Sequence, residues 1–107
     1  MPKATHKPIL LSVKPQYADC IVEGVKTIEL RRYFPDCLPG TKVYLCSSPP
    51  KRNVIGVAEV VRVDRLPLGE LWNLVSIEAM ISWEEFFHYF SEMSEGYAIT
   101  LQKPLAY

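Results

Sequence analysis

Apolar and polar positions along this chain change period several times, and each change marks an element. Ile9-Leu10-Leu11-Ser12-Val13 is a short apolar run ended by a lysine and a proline, the pattern of a buried strand. Pro15 suits the first position of a helix. Tyr17, Cys20 and Ile21 then recur at helical spacing until Gly24 offers a stop that tolerates positive φ, which predicts a helix over 15–23. From Lys26 the period drops to two, with Ile28 and Leu30 pointing one way and Thr27, Glu29 and Arg31 the other. Tyr33 to Gly40 reads as a loop closed by a Pro-Gly turn, and Lys42 to Ser47 as another alternating strand. Ser48 to Asn53 is a proline-stiffened basic loop. Val54 to Val63 is the longest strand, with Gly56 as a bulge or a point of close approach.

After Pro67 helical spacing returns. Leu71, Leu74 and Val75 share a face over Gly69–Val75, and a second helical segment follows around Ile77–Ile81. Ser82-Trp83-Glu84-Glu85 is a capping box that opens a helix whose core-facing stripe is Trp83, Phe86, Phe87 and Phe90. Gly96 to Leu101 alternates as a closing strand. Five or six short strands with short helices inserted predict an α+β domain built on a small, strongly curved sheet or barrel.

The 107 residues suffice for one core and not for two domains of ordinary size, so 1–107 is read as a single domain. With 49% hydrophobic residues, the chain lacks the polar signature of disorder. Its apolar runs are far too short to cross a bilayer, and no membrane span is expected. Lys3 and Lys7 are not followed by the apolar stretch of an export signal, which sets the expected location in the cytoplasm. Cys20, Cys37 and Cys46 form an odd set without a C-x-x-C pair, and His6 and His88 are isolated. Reduced, packed thiols are therefore expected, with no disulfide framework, no metal site and no cofactor.

Net charge is zero but unevenly laid out. Residues 1–65 hold 11 Lys and Arg against 6 Asp and Glu, while 66–107 hold 1 against 6. Binding of a polyanion by the whole surface is not expected; a local basic face on the first part, able to contact a few phosphates, is.

The densest chemistry lies in Gly24-Val25-Lys26-Thr27-Ile28-Glu29-Leu30-Arg31-Arg32, where a helix stop delivers a lysine onto a strand that shows hydroxyl, carboxylate and guanidinium in succession. Glu29 is placed to orient Arg31 or Lys26 while leaving donors free, an arrangement suited to an anionic or heterocyclic ligand; the ordinary alternative is an exposed ion pair. Lys51 and Arg52, with Lys14, Arg31 and Arg32, supply a phosphate-positioning rim, the alternative for Lys51 and Arg52 being simply solvated loop charge. Tyr33, Phe34 and Tyr97 are candidates to stack a base or to pack in the barrel.

The order Leu11-Ser12-Val13-Lys14-Pro15-x-Tyr17, Ile21-x-x-Gly24-x-Lys26-Thr27-x-Glu29-x-Arg31, Gly40-x-x-Val43, Ser47-Ser48-Pro49, Gly56 and Gly96-Tyr97-Ala98-Ile99 resembles the ASCH domain family, one of the PUA-like β-barrels. The resemblance runs over about 9–101 and is strongest at G-x-K-T-x-E-x-R. It implies a small barrel with a cleft beside the first helix, into which Lys26 projects toward RNA or a modified nucleoside. The ligand-contacting residues it implies, with the basic rim, are Lys14, Lys26, Thr27, Glu29, Arg31, Arg32, Ser48, Lys51, Arg52 and Tyr97. Some relatives are thought to cleave RNA, and others to hydrolyse the amide of acylated cytidine with a lysine, a threonine three residues on and a later glutamate. Here Lys26 matches the lysine and Glu78 the later glutamate, while Glu29 stands in the threonine's place and Thr27 lies two positions early.

RNA or nucleoside binding is the leading expectation. A metal-independent hydrolase, amidohydrolase or ribonuclease, with Lys26 as base and Glu29 or Glu78 as its partner, is the alternative. A protein-interaction module docking through the acidic second half is the third.

Overall fold

The computed structural model describes residues 5–49 and 52–107. Lys51, expected on the basic rim, lies outside the described residues. In chain order the elements are β1 (Ile9–Val13), α1 (Pro15–Val22), β2 (Ile28–Arg31), β3 (Lys42–Ser47), β4 (Val54–Pro67), α2 (Leu68–Val75), α3 (Trp83–Tyr89) and β5 (Glu95–Ala106). The strands form one sheet in the order β1-β3-β4-β5-β2. Of the strand pairs among the described residues, β1–β3 is parallel and the others are antiparallel.

The two long strands, β4 and β5, bend the sheet. Their register slips between Val57 and Glu59 and again between Val60 and Arg62, and such bulges increase local twist and curl. The curl brings the two edge strands, β1 and β2, toward each other across a seam that no ladder closes among the described residues. The Arg31 side chain spans it: Nη1 donates to the Ser12 carbonyl at 3.0 Å.

Alternation divides the apolar residues between two cores. Leu11, Val13, Val43, Leu45, Val60, Ile99 and Leu101 point into the curl, where Ala18 and Ile21 of α1 plug it. Ile28, Leu30 and Ala98 point outward and are covered by Leu71, Val75, Phe86 and Phe90 from α2 and α3. Strand β2 is therefore covered on both faces, and Glu29, between Ile28 and Leu30, is buried despite its charge. Two glycines are dictated by space. A Cβ on Gly56 would lie 2.6 Å from Leu105 O and from Val22 Cγ1, the close approach expected there, and one on Gly96 would lie 2.3 Å from Phe90 Cε1.

The capping box forms as predicted: Ser82 Oγ accepts from the Glu85 amide at 3.1 Å and donates to the Glu85 carboxylate at 3.0 Å. Other expectations shift for identifiable reasons. The ladder of β2 starts at Ile28, not Lys26, because the amides of Val25 and Lys26 both turn back to the Cys20 carbonyl at 3.0 Å, around Gly24 at φ +78°. The segment Ile77–Ile81 is a turn rather than a helix; Met80 takes φ +54° and Ile77 is 82% exposed. Trp83 is 53% exposed and packs edge-on to Trp72, so it flanks the α3 stripe rather than entering the core. Strand β4 continues past Val63 to Pro67, and β5 past Leu101 to Ala106, because each supplies the other's partner along the bend.

Candidate functional site

The turn that ends α1 decides the site. Gly24 reverses the chain, the amide of Lys26 is tied to the Cys20 carbonyl, and the lysine side chain is thereby aimed beneath α1 rather than along the sheet. Its ammonium donates to the Ala79 carbonyl in the turn after α2, lies 5.2 Å from the centroid of the Tyr17 ring, and stands 3.9 Å from Glu29 Oε1. On the other side of the carboxylate, Arg31 Nη1 is 3.7 Å from Glu29 Oε2. Lys26 and Glu29 are 4% and 6% exposed, whereas Arg31 reaches solvent.

These groups line a cleft of about 140 Å³ at the seam between β1 and β2. Ser12, Val13 and Lys14 form one wall and Leu30 and Arg31 the other; Tyr17, Ile81 and Tyr89 close it from the helices. Larger hollows of about 270 and 370 Å³ lie elsewhere among the described residues, but neither joins the buried acid–base pair to a cationic edge as this cleft does. The mouth is braced by the Tyr17 hydroxyl, which donates to Glu85 Oε2 at 3.1 Å, and by Arg32, whose Nε donates to the Tyr89 carbonyl at 2.8 Å with its guanidinium over the Tyr89 ring.

Burial works in opposite directions on the central pair. Loss of water disfavours the ammonium, so the Lys26 pKa falls below the usual lysine value, a fall opposed by Glu29. The same loss pushes the Glu29 carboxyl up, opposed by Lys26 and then Arg31. Burial thus opposes the charged form of both groups, while the charge of each supports that of the other. At the mouth, the Ser82 hydroxyl first and then that of Tyr17 hold the Glu85 carboxyl below its ordinary range.

Of the residues singled out from the sequence, Lys14, Lys26, Glu29 and Arg31 meet in the cleft. Arg32 sits at its edge as a brace for α3. Thr27 faces the neighbouring 270 Å³ hollow, its carbonyl accepting from the Leu101 amide at 2.8 Å. Ser48 is tied by its amide to the Val13 carbonyl at 2.8 Å and does not line the cleft. Arg52 is exposed with φ +49° and does not line it either. Glu78 lies in the turn after α2 with its side chain exposed; it is the backbone of the next residue, Ala79, that reaches Lys26. Tyr97 stands outside the cleft, directly across the β2–β5 ladder from Arg31. Sequence reasoning missed the Ala79 carbonyl, Ile81 and Tyr89, which lie far along the chain from the motif and enter only because α2 and α3 cover the outer face of β2. Among the described residues no three His, Cys, Asp or Glu side chains gather to hold a metal ion, and no helix is long and apolar enough to cross a membrane.

Comparison with known proteins points one way. A protein named an ASCH domain-containing ribonuclease, from Zymomonas mobilis subsp. mobilis, is 28% identical over 97 residues; the match covers 91% of this chain and 66% of that one, so this chain spans just under two thirds of its relative's length. The crystal structure of ASCH from Zymomonas mobilis superposes with a TM-score of 0.89 at 27% identity, covering 94% of this chain and 71% of that one. A variant of it with a tyrosine replaced by phenylalanine superposes equally well. The resemblance first seen in G-x-K-T-x-E-x-R thus extends through the whole α+β, PUA-like architecture. The ASCH domain model matches residues 11–104, from the first strand of the curl almost to the end of the last, and this chain belongs to the ASCH domain family.

Proposed function

We propose that this chain binds single-stranded RNA in the seam cleft, with Lys14 and Arg31 taking phosphate oxygens and the Lys26–Glu29 pair facing the sugar and base. The observation that carries the reading is a buried lysine–glutamate pair opening onto a cationic edge. Keeping two charges out of water is costly, and replacement by apolar residues is often neutral or stabilising, so a fold has no structural need of such a pair. Arginine and lysine contacts to phosphate set the register of a strand, while groups deeper in the cleft discriminate what lies between the phosphates. The name carried by the Zymomonas relative agrees with an RNA ligand.

Fluorescence titration with a single-stranded oligoribonucleotide at low salt tests the proposal. Lys26→Met is expected to lose binding, and Glu92→Ala, on the exposed turn after α3, to keep it. Failure of the wild-type chain to bind RNA overturns it.

A second reading, cleavage of the bound strand, is favoured by the placement of an amine and a carboxyl 3.9 Å apart in one cleft. In that reading the Lys26 amine, once it has lost its proton, takes the proton of a ribose 2′-hydroxyl as its oxygen attacks the adjacent phosphorus. The bond from phosphorus to the 5′-oxygen breaks, the Glu29 carboxylic acid protonates that leaving oxygen, and a 2′,3′-cyclic phosphate results. Incubation with RNA and, separately, with acylated cytidine, followed by chromatography, distinguishes strand cleavage from amide hydrolysis and both from binding alone.

A further inference from the structure

We propose that Arg65 on β4, Tyr97 on β5 and Arg31 on β2 form a second nucleotide subsite that continues the cleft, a base stacking on Tyr97 and Tyr33 while the flanking phosphates are held by Arg31 and Arg65. The proposal rests on the RNA reading of the cleft and deepens it: the occupant is a strand of two or more nucleotides rather than a free nucleoside.

The register places the row. Tyr97 is the cross-strand partner of Arg31 on one side and of Arg65 on the other, so three neighbouring strands present cation, aromatic ring and cation side by side. With strands about 4.8 Å apart, the row spans roughly 10 Å. Its first member already lines the cleft, and its last two line the 370 Å³ hollow beyond it, beside Pro39 and Val63. The row is therefore continuous with the acid–base pair and lies along a concave path.

The side chains have capacity to spare. Arg65 directs Nε and Nη2 to Glu95 Oε1, at 2.8 and 2.5 Å, which leaves three of the five guanidinium donors free. Arg31 places one donor on the Ser12 carbonyl and otherwise faces Glu29 and the opening. The Arg65 guanidinium lies 5.7 Å from the Tyr97 centroid, and Tyr33 meets Tyr97 edge-on at 5.8 Å. Tyr33 is 70% exposed, which leaves a ring face for a base. Asp36 and Arg62 also line the hollow, so its wall carries both signs of charge.

The test uses fluorescence anisotropy with a labelled five-nucleotide single-stranded RNA, competed by that RNA unlabelled and by uridine monophosphate, and thermal melting of each variant. The wild type is expected to bind the pentanucleotide at least about tenfold more tightly than the mononucleotide. Tyr33→Ala, at an exposed site, is expected to weaken pentanucleotide binding by about 5- to 150-fold, the range for one stacked base, with mononucleotide competition and melting unchanged. Arg65→Gln is expected to reduce the slope of log affinity against log salt by about 0.7. If Lys26→Met loses the pentanucleotide while Tyr33→Ala and Arg65→Gln bind it as the wild type does, the second subsite is refuted and the cleft stands. Equal affinity for pentanucleotide and mononucleotide also refutes the subsite alone. No binding of either ligand by the wild type refutes both readings.

Discussion

Replacing Glu29 by glutamine keeps the shape of the side chain and removes its charge, which isolates what the carboxylate does for Lys26. At 3.9 Å, two unit charges attract by about 4 kcal/mol at an effective dielectric near 20. Withdrawing that attraction weakens the ammonium's hold on its proton by up to about a thousandfold. The Ala79 carbonyl and the Tyr17 ring remain, but neither carries a full negative charge. The Lys26 pKa, already lowered by burial, is therefore expected to fall further in Glu29→Gln.

The stability profile follows by linkage. A lysine whose pKa is depressed on folding contributes stability above its unfolded pKa, and that contribution is lost as pH falls through the folded pKa. In Glu29→Gln the interval over which stability climbs with pH thus opens at a lower pH than in the wild type. Glu29 acts with the opposite sign. Its raised pKa contributes stability below the unfolded carboxylate value that is lost as pH rises through the folded pKa, and this acid-side decline disappears in the variant. NMR titration of the Lys26 ε-methylene, assigned by comparison with Lys26→Met, and melting curves from about pH 4 to about pH 10 read both effects. A Lys26 midpoint that stays put or moves up, or melting profiles that run parallel throughout, would refute the reasoning.

Other expectations are more local. Gly96→Ala drives a methyl to 2.3 Å from Phe90 Cε1 and 3.0 Å from Leu71 Cδ2, both in a closed core, and should cost about 1–3 kcal/mol; a melting point restored by the double variant Gly96→Ala, Phe90→Leu identifies the clash as the cause. Ser82→Ala removes the acceptor for the Glu85 amide and should cost about 1 kcal/mol, a drop of roughly 4–8 °C in Tm by circular dichroism. Lys42→Ala breaks a 3.2 Å ion pair with Glu59 across β3 and β4 at an exposed position and should change stability by less than about 1 kcal/mol in urea unfolding. Burial pushes the Cys37 thiol up, so its alkylation by iodoacetamide at mildly alkaline pH should lag behind that of a free thiol, as mass spectrometry of the peptides would show.

What the chain disclosed in advance is what depends on neighbours close in sequence. Ser82 and Glu85 announce α3 because a cap is a contact over three residues, and Ile28 and Leu30 announce a buried face because alternation is local. Lys26, Glu29 and Arg31 were legible as a chemical group for the same reason. The geometry that makes them a site was not. Lys26 leaves the ladder because of a hydrogen bond to Cys20, and its far partner, the Ala79 carbonyl, sits in a segment whose apolar spacing suggested a helix. Glu78 is the counterpart that the family resemblance implies for the later glutamate, yet a turn gives no period from which to tell an inward backbone from an outward side chain. Tyr97 and Arg31 are neighbours only through the antiparallel register of β2 and β5, two strands far apart in the chain whose pairing no short window contains.

The seam between β1 and β2 carries a mechanical implication. Everywhere else, widening the curl means breaking ladder hydrogen bonds that support one another, but here one guanidinium resting on one carbonyl clasps the two margins. A phosphate that takes the Nη1 donor competes with that clasp, and binding there would loosen the hoop, whereas one held by the remaining Arg31 donors leaves it closed. Opening along this line costs one such contact, whereas opening anywhere else in the sheet costs a ladder.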